Sequence, residues 1–245
     1  MLQLLVIFIA LLIPVLSHAD AIDKALAQAG FVETPDTAMH DCSSPTLRRD
    51  HYVVEQHEGS IRIVRKPHAD KPNPEFSTRH IKYIGEDHGE FGGKLEAVWP
   101  DKHKKILLKK NIRSIIQSEQ FLYIFTGLRH YFDRGAVYRI SNYENNPKVS
   151  LVTLLPGESL PLLDSRGAGT AFIIITNDDL LSLTPANEWL NIIDHHSVWE
   201  RFIPNSAIQV GDRVLVGMCS GVAVIEFFKS YDLKSIRTFA PEKTE

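Results

Sequence analysis

The sequence lacks most of the features by which enzymes and nucleic-acid-binding proteins are commonly recognised. Only two cysteines occur in 245 residues, and there is no zinc motif such as HExxH or paired CxxC. There is also no GxSxG run of the kind that carries a nucleophilic serine. Lys and Arg number 27 against 30 Asp and Glu, so the net charge is −3. A concentrated basic excess is absent, which argues against a nucleic-acid partner.

Charged side chains are also missing from residues 1–17, MLQLLVIFIALLIPVLS. Small residues follow at Ser17, Ala19 and Ala21, a pattern typical of a secretory signal peptide and its cleavage site. The alternative is a membrane anchor, which normally needs about 20 apolar residues. We predict a signal peptide over 1–19 and a periplasmic or secreted protein without a membrane span after cleavage.

The two cysteines, Cys42 and Cys219, remain in the exported chain. An even number of cysteines in an oxidising compartment predicts one disulfide, which would tie the N-terminal segment to the last part of the chain. The alternative is two unpaired thiols, with Cys219 buried at the end of a strand.

Helical periodicity is scarce. Ala21–Phe31 is the one convincing helical stretch, because Ile22 and Leu26 recur at helical spacing and Gly30 supplies a stop. We assign residues 20–50 to this helix and a following loop. Residues 51–245 have the pattern of strands and turns.

A repeat runs through this β-rich part of the chain. Turn residues followed by an alternating strand occur at Gly59, Gly93, Gly135, Asp179 and Gly221, so that successive starts are 34, 42, 44 and 42 residues apart. Several of these strands are preceded along the chain by two further predicted strands and followed by one. The unit is therefore four strands in about 42 residues, the period of a β-propeller blade.

These repeats predict an all-β fold, a β-propeller of about five four-stranded blades, with a short N-terminal helix. The first blade is irregular, and His51–Gln56 is predicted to close the ring against the last blade. An antiparallel sandwich is the alternative, although it does not require a repeating order of strand types.

The order of the strands within each predicted blade also predicts which loops lie at the same end of the propeller. With strands A to D running outward from the axis, the B–C loops and the D–A connections lie at the same end, where repeat proteins commonly bind. The partner-binding residues predicted at this end are Asp87, His88, Arg129, His130, Tyr131, Asp133, Trp199 and Asn205.

One run of this face resembles a known family. FIPNSAIQVGDRVLVGM, residues Phe202–Met218, is similar to the PN-x-x-A-x-x-G-D-x-L-Y-V run in blades of gluconolactonase and NHL-type propellers. In the lactonases an Asn of this run is a metal ligand on the axis, and the matching residue is Asn205. The resemblance implies a divalent cation such as calcium there, but those propellers have six blades and the other ligands have no match here.

The wider segment Phe91–Phe227 resembles a group of exported bacterial propeller-like proteins. The shared pattern is FGG before a strand, a GL-x-H-x-x-x-D-x-G loop, V-x-L-P-G, and a PNS…VGM ending. The corresponding segments here are Phe91–Gly93, Gly127–Gly135, Leu151–Gly157 and Pro204–Met218; the second has one residue fewer between His and Asp, and the third one residue more between Val and Pro. This group implies the fold and export, and no activity.

Three functions fit these observations. The first is a non-enzymatic binding protein of the bacterial envelope that presents the loop face to a protein or glycan and needs no cofactor, as an inhibitor or immunity factor would. The second is a metal-dependent hydrolase of the lactonase type with its cation near Asn205. The third is structural: the loop clamps one blade to the next, with Asp133 capping a turn and Arg129 pairing with a carboxylate of the neighbouring blade.

Overall fold

The computed structural model describes residues 18–39, 42, 50–67, 72–128, 134–164, 166, 169–186, 188–195, 197–228 and 231–242. The predicted signal peptide up to residue 17 lies outside this part of the chain. The loop residues Arg129, His130, Tyr131 and Asp133 also lie outside it, so their predicted role stays a prediction.

The N-terminal elements are one helix, three strands and a 3-10 turn. They are α1 (His18–Gln28), β1 (Phe31–Glu33), a 3-10 turn (Asp36–Ala38), β2 (Asp50–His57) and β3 (Ser60–Pro67). Helix α1 confirms the predicted helix, and Gly30 follows it with a φ of +72°, a conformation that glycine adopts without strain.

Four antiparallel sheets follow, and each is a meander of four strands in chain order. Sheet I contains β4 (Glu75–Ser77), β5 (Lys82–Asp87), β6 (Gly93–Val98) and β7 (Lys104–Leu108), with a 3-10 turn (Gly89–Phe91) after β5. Sheet II contains β8 (Ile112–Ser118), β9 (Phe121–Leu128), β10 (Arg134–Ser141) and β11 (Lys148–Leu155).

Sheets III and IV complete the series. Sheet III contains β12 (Leu160–Leu163), β13 (Phe172–Ile175), β14 (Asp179–Thr184) and β15 (Trp189–His195). Helix α2 (Ser197–Phe202) connects it to sheet IV, which contains β16 (Ser206–Val210), β17 (Arg213–Gly217), β18 (Val222–Phe227) and β19 (Leu233–Pro241). The predicted order of four strand types is thus confirmed in four sheets.

Two features were not expected from the sequence. Helix α2 lies where only a connection was predicted. Strand β1 pairs with β19 at the outer edge of sheet IV, Val32 opposite Ala240, so that this sheet has a fifth strand.

The core lies between successive sheets, because their inner strands are apolar on both faces. In β13, Phe172 and Ile174 pack with residues of sheet II, whereas Ile173 and Ile175 pack with residues of sheet IV. This alternation follows from the two-residue period of a strand. A four-stranded sheet of this kind is stable only when a neighbour covers each face.

The hairpin of β2 and β3 packs against sheet IV, as predicted for His51–Gln56. The Tyr52 amide donates to the Met218 carbonyl at 2.9 Å, and the Val54 amide donates to Ser206 Oγ at 2.9 Å. A Cβ at Gly217 would lie 2.2 Å from the Tyr52 carbonyl oxygen, so this close approach requires glycine. Across the described segments, no helix has the length and apolar content needed to cross a membrane.

Candidate functional site

Two pairs of the loops predicted to share one end of the molecule are in contact, whereas residues 129–133 lie outside the described part of the chain. Asn111, in the connection from β7 to β8, donates from Nδ2 to the Gly89 carbonyl in the loop after β5 at 2.7 Å. The Cys219 amide, in the loop after β17, donates to the Phe202 carbonyl at the end of α2 at 3.0 Å. We call this end the loop face; its described segments are 88–92, 109–111, 156–159, 176–178, 197–205 and 218–221.

An ion-pair triad crosses the loop face at sheets I and II. Arg113, near the start of β8, contacts the carboxylate of Asp87 at the end of β5 and that of Glu158 in the connection to β12. All three side chains are about four-fifths buried. The triad joins three separate parts of the repeat, and each charge has an opposite neighbour, so its first role is to hold these loops in place.

The two predicted residues of the first loop have different surroundings. Asp87 belongs to the triad, and its Oδ1 also accepts the Gly89 amide at 2.9 Å. His88 is more exposed, and its Nε2 lies 3.1 Å from Glu86 Oε2. The hydrogen bond from His88, assisted by Lys94, lowers the pKa of the Glu86 carboxyl.

A recurring polar position precedes the innermost strand of three sheets. Asn111 precedes β8, Ser159 precedes β12 and Asn205 precedes β16. Buried atoms of all three lack a hydrogen-bond partner among the described residues: Asn111 Oδ1, Ser159 Oγ and both amide atoms of Asn205. Native proteins satisfy most buried polar atoms, so this repetition marks the position for water or a ligand.

A small pocket of about 20 Å³, enough for about one water molecule, lies beside this position between sheets III and IV. Ser159, Asn177 and Pro204 line it, with Glu158 and Leu160 on the side of the triad. Asn177 lies in the loop after β13, and its buried Nδ2 also has no partner within the described chain. The residues around the pocket thus comprise four polar side chains and three apolar ones, Ile175 and Thr176 being the remaining two.

A histidine–aspartate pair lies at the same end of sheet III. His195, the last residue of β15, is paired in register with Asp179, the first residue of β14. His195 Nδ1 is 2.5 Å from Asp179 Oδ1, and this hydrogen bond raises the pKa of His195. The His195 side chain is largely exposed and Asp179 is buried, so the aspartate orients the ring.

Trp199 requires a correction. Its side chain is fully buried in the core between sheets III and IV, together with Phe202. The α-helical conformation of Ser197–Phe202 turns the Trp199 side chain toward the core. The sequence predicted an exposed connection in this segment, so this burial was not expected. Trp199 supports the loop face from below and presents no contact surface to a partner.

The disulfide between Cys42 and Cys219 is present, with a Cα–Cα distance of 6.4 Å. It attaches the N-terminal segment to the loop after β17. The Cys42 amide also donates to the Arg201 carbonyl at 3.0 Å, so the segment is tied to α2 as well. Cys42 thus attaches the N-terminal segment to the loop face at both α2 and the loop after β17.

Sequence reasoning missed Arg113, Glu158, Ser159 and Asn177. Aligning the repeats at the connection from one sheet to the next would have revealed the polar position. Asn111, Ser159 and Asn205 each stand directly before the first strand of a sheet, β8, β12 or β16. Within the described ranges, no group of three or more His, Cys, Asp or Glu is arranged to hold a metal ion. Asn205 is placed on the loop face as predicted, but without a carboxylate set around it.

No protein-family model and no curated protein matches the chain. Among solved structures, the chain is similar to a putative 6-phosphogluconolactonase from Bacteroides uniformis, with 12% identity, a TM-score of 0.47 and coverage of 88% of this chain and 72% of that one. It is also similar to the periplasmic gluconolactonase PpgL of Pseudomonas aeruginosa, with 11% identity, a TM-score of 0.41 and coverage of 78% and 77%.

A third similar structure is TolB from Acinetobacter baumannii, with 11% identity and a TM-score of 0.39. The match covers 79% of this chain and 48% of that one. Similarities this distant do not transfer an activity.

Proposed function

We propose that this protein is an exported, non-enzymatic binding protein of the bacterial envelope that holds a protein or glycan on its loop face. The observation that supports this most is the repeated polar position of Asn111, Ser159 and Asn205. Its buried atoms lack partners where three sheets meet the loop face. A surface built only for stability would have paired these atoms, because each one left unpaired costs about 1–3 kcal/mol.

The scaffold in this proposal is a closed propeller of five blades. Sheets I to IV supply four blades, and the hairpin of β2 and β3 takes the place of the fifth, irregular one. Its packing against sheet IV supports this arrangement on one side. A periplasmic or secreted location follows from the predicted signal peptide, and the disulfide supports it because such bonds persist in oxidising compartments.

An exposed aromatic residue offers a direct test of partner binding. Phe91 lies in the loop after β5 and is 95% exposed. Aromatic side chains on a rigid scaffold are common anchors of protein interfaces. Phe228 is a matched control, because it is also exposed, at 59%, but lies after β18 at the opposite end of sheet IV.

The experiment is affinity capture from the native envelope fraction with the full mature chain, followed by quantitative mass spectrometry. We expect Phe91→Ala combined with His88→Ala to remove the captured partner, whereas Phe228→Ala retains it. Both variants should melt at the wild-type temperature, since neither removes a buried side chain. Equal capture by all three proteins contradicts the placement of the binding surface.

The second candidate is a lactonase-type hydrolase with a divalent cation such as calcium near Asn205. The unpartnered Asn205 Oδ1 favours it, because hard cations are held by oxygen ligands. Metal analysis after incubation with calcium, together with a lactone hydrolysis assay, tests it. Calcium bound by the wild type and lost in Asn205→Ala, with loss of hydrolysis, would establish this function instead of simple binding.

A further inference from the structure

The outermost strand of sheet I lies within the densest run of basic side chains in the chain. Residues 102–110, KHKKILLKK, contain five lysines and one histidine, with no Asp, Glu or Arg, and all five lysines are exposed. Lys104 Nζ lies 3.0 Å from Glu96 Oε2. The other four have no ion-pair partner within the described part of the chain: Lys102, Lys105, Lys109 and Lys110. We call residues 102–110 the lysine edge.

The lysine edge runs along the rim of sheet I. Lys102 and His103 stand in the turn before β7, at the end opposite the loop face, and Lys109 and Lys110 follow β7 at the loop face. At about 3.3 Å per residue, the segment extends over roughly 25 Å. Strand β7 is the last in the order β4-β5-β6-β7, so its outer side has no neighbouring strand in this sheet. The positive charges are therefore spread along an open rim and are not gathered in a cavity.

A further strand is not the partner that this rim favours. In the ladder with β6, Leu108 lies opposite Leu95 and Ile106 lies opposite Glu96, so that Leu107 is the extra residue of a β-bulge. Bulges and lysines on an edge strand both oppose pairing with another strand. A partner held by backbone hydrogen bonds is therefore disfavoured.

Protection of the edge explains only part of the basic run. It accounts for Lys104 and Lys105, which lie within β7. Lys102, Lys109 and Lys110 lie outside the strand, where no ladder edge has to be protected. These three side chains extend the positive charge beyond the strand at both of its ends, and they indicate an extended anionic partner.

The residue types select the chemistry of that partner. Unpaired ammonium groups attract anions. Arginine, which binds single phosphate or carboxylate groups through two parallel hydrogen bonds, is absent from the run, whereas lysine acts as a flexible point charge. Ile106 is 47% exposed among the lysines and adds an apolar side chain to the rim. Lysines beside an exposed apolar side chain are typical of surfaces that lie on an anionic bilayer.

We propose that the lysine edge docks the protein on a bilayer of anionic phospholipids. The inference concerns the rim of sheet I and does not rest on the proposed binding role of the loop face. The many equivalent phosphate groups of a bilayer match unpaired charges that are spread over roughly 25 Å without a shaped site. Each lysine near such a surface strengthens binding about fivefold, so the contact is reversible and depends on salt.

The test is co-sedimentation of the full mature chain with unilamellar vesicles. We expect the wild type to bind vesicles made of equal parts phosphatidylglycerol and phosphatidylcholine, and not to bind vesicles of phosphatidylcholine alone. Raising the salt concentration from about 50 to about 200 mM should weaken the binding about tenfold or more, because salt screens exposed charges.

Two double variants with the same change in net charge locate the binding surface. Lys105→Glu combined with Lys109→Glu should weaken binding to the anionic vesicles about 25-fold or more, since each lysine contributes about fivefold. The matched control is Lys24→Glu on α1 combined with Lys148→Glu at the start of β11, two exposed lysines without an ion pair among the described residues. Val149 packs toward sheet I, so Lys148 points away from the lysine edge. The control should bind as the wild type does.

Three results would overturn the inference. Equal weakening in the two double variants would mean that net charge, and not the lysine edge, governs binding. Retention of the wild type on a heparin column without binding to the anionic vesicles would assign the edge to a soluble polyanion. Unchanged vesicle binding in Lys105→Glu with Lys109→Glu would leave the lysines with edge protection alone. Both double variants should remain monomeric and melt at the wild-type temperature, because all four side chains are exposed and glutamate keeps a charge at each position.

Discussion

Two polar clusters at opposite ends of the molecule are similarly buried but differ in whether their polar atoms are hydrogen-bonded. At the end opposite the loop face, Asp164 after β12 accepts hydrogen bonds from Arg166 Nε at 2.9 Å and Gln209 Nε2 at 2.9 Å. Arg166 in turn packs over the rings of Phe227 and Tyr231. At the loop face, Ser159 and Asn177 are almost as buried as Asp164, yet Ser159 Oγ and Asn177 Nδ2 have no hydrogen-bond partner among the residues that the structure describes.

The difference distinguishes polar groups that stabilise the fold from polar groups that we associate with function. Burial pushes the pKa of Asp164 upward, but the hydrogen bonds from Arg166, Tyr231 and Gln209 outweigh it and lower the pKa to about 2. This cluster joins sheet III to sheet IV and is complete in itself. The loop face is incomplete at the corresponding junction, and such local exceptions are expected at functional sites.

The largest expected effect is at the complete cluster. Asp164→Ala leaves Arg166 and Gln209 without their carboxylate, so the free energy of unfolding should fall by about 3–5 kcal/mol. Urea denaturation followed by circular dichroism measures the change. Asp212→Ala, an exposed aspartate of the turn after β16, is the control and should stay within about 0.5 kcal/mol of the wild type. Equal effects in the two variants would mean that the Asp164 cluster stabilises the fold no more than an exposed carboxylate at the same end.

The disulfide ranks next. Replacing both Cys42 and Cys219 by Ser should lower the free energy of unfolding by about 2–5 kcal/mol, because the bond closes a long loop with a separation of 177 residues. Thermal unfolding of the oxidised wild type, the reduced wild type and the double variant measures this. The reduced wild type should match the double variant, and an unchanged melting temperature in both contradicts the prediction.

A pH effect should arise from the complete cluster. The pKa of Asp164 is about 2 in the fold, against about 3.9 in an unfolded chain. Its stabilisation is therefore fully present above about pH 4 and is lost as the pH falls from about 4 to 2, amounting to about 2–3 kcal/mol.

Urea denaturation at pH 5 and at pH 2.5 tests this effect. Asp164→Asn cannot ionise at this position, so its stability should depend less on pH over this range than that of the wild type. Identical pH profiles for the two proteins would show that other carboxyl groups dominate acid unfolding.

The smallest change in the free energy of unfolding should occur at the loop face, and it should be an increase and not a decrease. Ser159→Ala removes a buried hydroxyl that has no partner, so the free energy of unfolding should stay unchanged or rise by up to about 1 kcal/mol in ligand-free protein. The same urea titration measures it. A decrease of more than about 1 kcal/mol would mean that Ser159 is structural, like Asp164.

The repeat made most of the fold predictable. Strand β6 begins at Gly93 and β14 at Asp179, as predicted, because turn residues and two-residue alternation are local signals. Pairing over long sequence distance was not predictable. The edge position of Phe31–Glu33 depends on β19, about 200 residues later, and a three-residue strand carries no periodicity.

The candidate site was predictable in position and not in composition. The blade phase placed Asp87, His88 and Asn205 at one end, since loop ends follow from strand order alone. Arg113 and Glu158 were missed because their contact joins residues 45 apart that stand in different sheets and connections. Trp199 was placed at the surface because a single turn of helix leaves too short a pattern to indicate its buried side.

The sequence by itself determined the strand order, the pair of cysteines able to bridge and the end of the molecule where the loops gather. Apolar alternation and turn residues act within a few positions along the chain, so they can be recognised from the sequence alone. Only the tertiary structure decided which buried polar atoms find partners. Hydrogen bonds require donor and acceptor about 3 Å apart, and the bond from Gln209 to Asp164 reaches that distance only because sheets III and IV stack on each other.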